Sequence, residues 1–162
     1  MRNSILLLFA ALFAASVRAQ SIDIIPRPQA LTEGKGAFRF SAKTAIDADP
    51  ELRRPAELFA ADIQPVVGYR ISAAEKGTVS LSVDNTLEAE EYSLAVTPKN
   101  IRILGGSPRA VFYALQTLRQ LLAPDGTVPA VIVRDKPCFA HRGGMLDSGR
   151  HYFSVKEVKR FI

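Results

Sequence analysis

The sequence predicts an α+β fold in which a sheet carries two helices on one face. Two patterns predict it. Short stretches with the period-two alternation of β-strands occur in runs, and two longer stretches with the 3.6-residue period of amphipathic helices lie between them. The length of 162 residues agrees, because it suits about one domain and is too short for a complete (β/α)8 barrel of roughly 250 residues.

Residues 1–19 have the pattern of a secretory signal peptide. Arg2 gives a positive start, and Ile5–Ala15 is an apolar run far shorter than the ~20 residues that span a membrane. Val17 and Ala19 are small residues at the two positions that a signal peptidase reads. The sequence therefore predicts an exported protein, periplasmic or secreted, with no membrane span after cleavage and a net charge that falls from +5 to about +3. An uncleaved membrane anchor is the alternative.

Composition and spacing argue against two other classes of function. Arginine and lysine are scattered among acidic residues and the aromatic residues lie at core spacing, so no basic stripe for nucleic acid is predicted. The two histidines are ten residues apart without a His-Glu-x-x-His pattern, so neither a metal nor another cofactor is predicted. Cys138 is the single cysteine, cannot form an intramolecular disulfide, and is expected to be a buried apolar side chain.

Two short strands are predicted near the start of the mature chain. Apolar and polar side chains alternate at the start of Ile22–Ile25, and Pro26 follows. This pattern is typical of an edge strand that ends at proline, because proline has no N–H to donate to a neighbouring strand. Ala37–Ser41 is the second strand, with Phe38 and Phe40 on one face. Turn-forming residues bound both segments.

The first helix is predicted to begin at Asp49-Pro50-Glu51, where Asp49 caps free backbone N–H groups and Pro50 lies in the first turn. An apolar face with helical spacing follows. Its members are Leu52, Ala56, Phe59, Ile63 and Val66. Pro65 and Gly68 predict the end of the helix.

Three strands and a second helix come next. The strands are predicted over 78–83, 92–97 and 100–104, and the last two are close enough to form an antiparallel hairpin. The second helix is predicted to begin with Ser107 as its cap and Pro108 in its first turn. Its buried stripe contains Val111, Leu115, Leu118 and Leu122, and one more strand is predicted over 128–133.

The last part of the chain reads as one βα unit. Gly143–Leu146 is expected to be a short buried strand, and Asp147–Phe153 the loop that follows it. Ser154 and Glu157 have the spacing of a capping box, which predicts a helix from Val155. The unit ends with its helix unfinished.

Three polar residues would lie beyond the carboxyl end of that strand, where βα loops build ligand sites. They are Asp147, Arg150 and His151. The forked guanidinium of Arg150 suits adjacent hydroxyls or a carboxylate. Spacing alone leaves two interpretations open: Arg150 binds a ligand, or it only pairs with Asp147 on the same loop.

Two separate motifs resemble one known family. The stretch RGGMLDSGRHYFSVKEVKRFI, over 142–162, is similar to the opening of the catalytic barrel of glycoside hydrolase family 20, the β-N-acetylhexosaminidases. The stretch GGSPRAVFYALQTLRQLL, over 105–122, is similar to the second helix of that family's N-terminal accessory domain, and the hairpin before it is similar as well. Cys138 and His141 depart from the family, which usually has an arginine and an aromatic residue at these positions.

The resemblance implies a signal peptide over 1–19, an accessory domain over 20–137 and the truncated start of a (β/α)8 catalytic barrel over 138–162. It implies hydrolysis of terminal β-linked N-acetylglucosamine or N-acetylgalactosamine by substrate-assisted retention, in which the sugar's acetamido oxygen attacks the anomeric carbon. The catalytic glutamate and its neighbouring aspartate belong to a later barrel strand that this chain lacks. The fragment itself is therefore expected to be inactive.

The resemblance carries one substrate-binding residue over to this chain. Arg150 matches the arginine that hydrogen-bonds the hydroxyls of the terminal sugar. Asp147 and His151 are predicted to be structural, the first fixing the loop and the second packing under it. Glu90 and Glu91 are predicted to be solvated and not catalytic. A stand-alone, non-catalytic binding or scaffold module is the alternative function, and linkage preference and oligomeric state are left open.

Overall fold

A mixed seven-stranded sheet runs through most of the computed structural model, which describes residues 22–161. The strands are β1 (Ala30–Arg39), β2 (Ala45–Ala48), β3 (Ser72–Ala73), β4 (Val79–Val83), β5 (Tyr92–Val96), β6 (Ile101–Gly105) and β7 (Thr127–Asp135). They lie side by side in the order β1-β7-β5-β6-β4-β2-β3. The first four strands in this order pair antiparallel. The pairs β6-β4, β4-β2 and β2-β3 are parallel. The segment with the signal-peptide pattern lies outside the described residues.

Two long helices cover one face of this sheet. The helices are α1 (Arg53–Val67), preceded by a 3-10 turn over Pro50–Leu52, α2 (Pro108–Leu121) and a short third helix, α3 (Val155–Phe161). α1 and α2 pack together and share one apolar core with alternate residues of the strands. On β6, Ile101 and Ile103 are buried, whereas Arg102 between them is exposed. The predicted α+β architecture is confirmed, and residues 22–137 are called the sheet domain below.

The predicted strand over Ile22–Ile25 is wrong. Ile24 is buried in the core, but the backbone of Ile25 pairs with a side chain and not with a neighbouring strand. Its N–H donates to Oε1 of Gln120 at 2.9 Å, and its carbonyl accepts from Nε2 of Gln120 at 2.9 Å. The glutamine amide thereby supplies the two hydrogen bonds that a strand partner would make. The first strand begins at Ala30 instead.

The start of α1 also differs from the prediction. Asp49 caps no helix N–H group; its Oδ2 accepts from the N–H of Val83 at 2.9 Å and so ties the turn to β4. The predicted apolar face is buried except for Val66, which is 44% exposed, and Val67 packs against the core in its place. The helix ends at Gly68 as predicted, whereas Pro65, also predicted to mark the end, lies inside the helix. The φ of Gly68 is 82°, a left-handed conformation that glycine adopts without steric cost.

The hairpin and the start of α2 are confirmed. β5 and β6 pair in antiparallel register. Ser107 Oγ accepts from the N–H of Ala110 at 3.4 Å, and Pro108 occupies the first helical position. The buried stripe of α2 includes Val111, Leu115 and Leu118 as predicted, but its last member is Leu121 and not Leu122, which is partly buried beyond the helix end. β2 and β3 were not predicted from the sequence.

The C-terminal segment (residues 138–161) confirms half of the predicted βα unit. α3 begins where the capping box predicted. Residues 143–146, the predicted buried strand, form no strand, and Met145 is 86% exposed. A strand needs a partner for its N–H and C=O groups, and the described sheet offers none to this segment. The predicted start of a barrel is therefore not confirmed. Cys138, predicted to be buried, is exposed.

A polar network around the buried Tyr92 and Thr117 joins the sheet to α2. The hydroxyl of Tyr92 lies 2.7 Å from Oγ1 of Thr117 and donates to Oδ2 of Asp135 at 3.4 Å. Asp135 Oδ1 also accepts from the backbone N–H of Gln29 at 3.1 Å. Burial raises the pKa of Tyr92 from 10.0 to about 12, so its hydroxyl stays protonated and keeps these bonds at alkaline pH values where an exposed tyrosine ionises.

Tyr92→Phe is expected to lower the free energy of unfolding by about 1 kcal/mol at neutral pH, the usual net contribution of a hydrogen bond. It should also change the alkaline stability. Because the pKa of Tyr92 rises from 10.0 to about 12 on folding, its contribution is fully present below pH 10 and is lost as the pH rises toward 12. Urea unfolding across this range measures both effects, with Tyr152→Phe as the exposed control. Identical alkaline slopes for Tyr92→Phe and the unmodified chain would contradict the prediction.

Candidate substrate-binding loop

The loop over 147–153 is organised by the carboxylate of Asp147. Oδ1 accepts from the backbone N–H of Gly149 at 3.0 Å and from that of Arg150 at 3.3 Å. Oδ2 lies 3.1 Å from Nε of Arg150. An aspartate that hydrogen-bonds the backbone two residues on forms an Asx turn. Asp147 therefore fixes the loop, as predicted.

Arg150 presents its guanidinium to solvent. Its side chain is 92% exposed, and that of Asp147 is 44% exposed. The ion pair uses Nε, so the two Nη groups have no partner within residues 22–161 and remain available to an acceptor. The Asp147–Arg150 ion pair that the sequence spacing left open is thus present. Because both side chains are exposed, the pair contributes little to the stability of the fold. The role of Arg150 in binding a sugar stays a prediction.

Helix α3 anchors the far end of the loop through a capping box. The N–H and the Oγ of Ser154 each donate to Oε2 of Glu157 at 2.8 Å, and the N–H of Glu157 faces Ser154 Oγ at 3.4 Å. Hydrogen bonds from the Ser154 backbone and hydroxyl lower the pKa of Glu157. His151, predicted to pack under the loop, is instead exposed and meets the ring of Phe153 edge-on at 5.3 Å.

A cluster centred on Glu90 attaches the C-terminal segment to the sheet domain. Glu90 Oε1 accepts from Arg142 Nη2 at 2.7 Å, from the Tyr113 hydroxyl at 3.1 Å and from Arg109 Nη1 at 3.4 Å. Arg142 Nη2 also donates to the Tyr113 hydroxyl at 3.1 Å, and its guanidinium lies 5.9 Å from the centre of the Tyr113 ring. These four residues form the Glu90 cluster. It joins chain segments 52 residues apart.

The prediction that Glu90 is solvated is wrong. Its side chain is 26% exposed, and the hydrogen bond from Arg142, with smaller contributions from Tyr113 and Arg109, holds the pKa of Glu90 below its usual value. The same bond raises the pKa of Arg142. One sequence signal was available, because Arg109 and Tyr113 are four residues apart and so share a face of α2. No local pattern indicated Arg142.

The Glu90 cluster is expected to open at acidic pH. A carboxyl group with a depressed folded-state pKa stabilises its contacts above its ordinary pKa, and this contribution is lost as the pH falls through the folded-state value. Carbon-13 NMR titration of the Glu90 carboxyl should give a midpoint below 4.5, and Arg142→Ala should move that midpoint upward. A midpoint at or above 4.5 in the unmodified chain would contradict the assignment of the contact.

Arg150 lines neither of two cavities found among the described residues. One of about 1090 Å³ lies beside β2, β3 and the start of α1, with Arg53 and Arg70 in its wall. Another, of about 280 Å³, lies between the loop and α3 and includes Leu146 and Phe161. Within residues 22–161, no group of three His, Cys, Asp or Glu side chains could hold a metal ion. No helix in that same range is long and apolar enough to cross a membrane.

Comparison with known proteins identifies the sheet domain. Residues 21–136 match the sequence profile of glycosyl hydrolase family 20, domain 2. The sheet domain is thus of a kind found in a family of glycosidases. The chain belongs to glycosyl hydrolase family 20, as the motifs over 105–122 and 142–162 indicated.

The similar proteins are much longer than this chain. The β-hexosaminidase of Porphyromonas gingivalis is 33% identical over 161 residues, which cover 88% of this chain and 21% of that protein. The N-acetyl-β-hexosaminidase of Streptomyces plicatus, solved with thio-NAglucal, superposes with a TM-score of 0.79 at 32% identity and covers 91% of this chain and 33% of that one. The exo-β-N-acetylglucosaminidase of Vibrio harveyi, solved with N-acetylglucosamine, gives 0.75 at 28% identity, with 84% and 22% covered. The chain spans about a fifth to a third of these relatives.

Proposed function

We propose that this chain supplies the accessory domain and the start of the catalytic unit of an exported exo-acting β-N-acetylhexosaminidase. The enzyme hydrolyses terminal, non-reducing β-linked N-acetylglucosamine or N-acetylgalactosamine from glycoconjugates or chitooligosaccharides, and the sugar's own 2-acetamido oxygen is the nucleophile. The sheet domain supports the catalytic unit, and Arg150 hydrogen-bonds the hydroxyls of the terminal sugar. The chain alone has no hydrolytic activity.

The free edge of the Arg150 guanidinium carries this proposal. Asp147 engages Nε at 3.1 Å and fixes the direction of the side chain, which leaves both Nη groups for adjacent hydroxyls of one sugar. A forked, permanently charged donor suits such a pair of acceptors. Family membership supports the proposal too. The likeness to the Streptomyces plicatus enzyme covers 91% of the chain, more than residues 1–136 supply, so it extends into the segment that carries Arg150.

A chimera tests the proposed activity. Residues 22–161 would replace the matching third of the Streptomyces plicatus enzyme, and release of nitrophenol from para-nitrophenyl N-acetyl-β-glucosaminide and N-acetyl-β-galactosaminide would be measured. We expect hydrolysis by the chimera and none by the 162-residue chain alone. The unmodified Streptomyces plicatus enzyme serves as the positive control.

Two outcomes would count against this function. A folded, soluble chimera that leaves both glycosides intact would contradict the supporting role of the sheet domain. Binding of N-acetylglucosamine by residues 20–137 alone, without the C-terminal segment, would support the stand-alone binding module instead. Isothermal titration of N-acetylglucosamine into residues 20–137, and into the chain that also contains the C-terminal segment, separates these cases.

The proposal includes export with removal of residues 1–19. Expression in a bacterial host should then give a mature chain that begins at Gln20, recovered from the periplasm or the medium. Intact-mass measurement of the purified protein identifies the N-terminus. Recovery of the uncleaved chain from the membrane fraction would support the membrane-anchor alternative and contradict cleavage.

A further inference from the structure

We infer that Arg142 is the positioning residue that sets where the Asp147–Arg150 loop lies relative to the sheet domain, through its contacts with Glu90 and Tyr113. The importance of this loop rests on the proposed function, whereas the attachment itself rests on contacts within the described residues. Arg142 touches no reacting atom in this scheme. It acts through the position that it gives to Arg150.

Arg142 and Arg150 have opposite environments, although they lie eight residues apart. The side chain of Arg142 is 38% exposed and bonds Glu90 at 2.7 Å and the Tyr113 hydroxyl at 3.1 Å. The side chain of Arg150 is 92% exposed and meets one carboxylate of its own loop. The first arginine is therefore a fixed attachment to another part of the fold, and the second is a free donor.

Apolar packing does not explain how the C-terminal segment is held. Its large apolar side chains are mostly exposed, namely Phe139, Met145, Tyr152, Val155 and Phe161. Arg142 Nη1 also donates to the carbonyl of Phe139, which ties the guanidinium to its own segment. Little apolar surface of the segment is buried here, so its attachment to the sheet domain depends mainly on the charged hydrogen bonds of Arg142 to Glu90 and Tyr113.

The receiving side of the contact belongs to the packed sheet domain. Arg109 and Tyr113 project from α2, whose stripe forms the core, and both bond Glu90. The neighbouring Glu88 pairs with Lys136 at the end of the sheet domain. Glu90 is thus held by contacts that do not involve Arg142. A carboxylate fixed in this way gives the charged hydrogen bond from Arg142 a defined geometry.

The inference is tested by a distance measurement on the full chain. In a Cys138→Ser background, nitroxide labels would be attached at Ser148→Cys in the loop and Gln116→Cys on the exposed face of α2, and pulsed electron spin resonance would give the distribution of distances. We expect one narrow distribution with Arg142 present. Arg142→Ala and Glu90→Gln should each lose it and give a broad one, and Arg142→Lys should keep part of it.

The matched control is Glu91→Gln, which removes the adjacent carboxylate. Glu91 accepts from the N–H of Glu88 within its own turn, so this variant should keep the narrow distribution. Thermal unfolding of the sheet domain should be unchanged by Arg142→Ala, which distinguishes positioning from general support of the fold. A distribution equally narrow in Arg142→Ala would overturn the inference. This readout needs no hydrolysis, so failure of the proposed function would show separately in the chimera.

Discussion

Replacing Gly106 by alanine is expected to destabilise the sheet domain by about 3 kcal/mol or more, the upper end of what overpacking costs. A Cβ at this position would stand 1.9 Å from the carbonyl oxygen of Glu88 and 2.6 Å from its carbonyl carbon. Both atoms belong to the backbone, so no side-chain rotation relieves the clash. The N–H of Gly106 also donates to the carbonyl of Glu91 at 2.9 Å, which holds the two segments close.

Urea denaturation measures this effect, and Gly143→Ala is the matched control. No atom beyond Gly143 and its two chain neighbours lies within 4 Å of the position that a Cβ would take there. We expect the control to unfold at the same urea concentration as the unmodified chain and Gly106→Ala to unfold at a much lower one. Equal midpoints for the two variants would mean that the turn before α2 is not packed as described. Since Glu90 lies in the segment that Gly106 contacts, the variant should also loosen the Glu90 cluster.

Arg150→Ala in the chimera is expected to lower kcat/KM for para-nitrophenyl N-acetyl-β-glucosaminide by at least about tenfold. Each hydrogen bond from a charged group contributes ~1.5–3 kcal/mol, which corresponds to roughly 10- to 150-fold in kcat/KM. Arg150→Lys should recover little of the loss, because an ammonium group lacks the fork that reaches two hydroxyls. The unfolding midpoint should not change, because the Asp147 pair is largely exposed.

Lys156→Ala is the control for this measurement, because Lys156 is an exposed cation on α3 in the same segment. It should leave kcat/KM within about twofold of the parent chimera, as expected for a surface change away from any contact. An Arg150→Ala chimera as active as the Lys156→Ala chimera would mean that Arg150 only pairs with Asp147 in the turn and does not bind the sugar. That result would leave the family membership intact and remove the proposed sugar contact.

Local signals explain which elements of the fold were predictable. The predictions of the β5–β6 hairpin and of the start of α2 are correct. The short turn predicts the hairpin, and the Ser107 cap with Pro108 predicts the helix start, because all these signals lie within a few residues of the element. β2 has four residues and pairs in parallel with β4, more than thirty positions along the chain. Such pairing leaves no local pattern. Ile22–Ile25 shows the reverse case, since its alternation predicted a strand and the amide of Gln120 took the place of a strand partner.

The candidate site likewise contains some contacts that the sequence predicts and others that it does not. The pairing of Asp147 with Arg150 and the Ser154–Glu157 capping box were visible in spacings of three residues. The Glu90 cluster was not, because its decisive bond joins positions 52 residues apart. The predicted strand over 143–146 failed for a physical reason, since its backbone has no partner in the described sheet.

A crystal structure of the chimera with N-acetylglucosamine bound would be the most direct test that this chain supplies a sugar-binding arginine. The measured quantity is the distance from the Nη atoms of Arg150 to the hydroxyl oxygens of the sugar. We predict hydrogen-bond distances of about 2.7–3.2 Å while Asp147 still accepts from Nε. An occupied site in which the Arg150 guanidinium lies beyond hydrogen-bond reach of the sugar would contradict it.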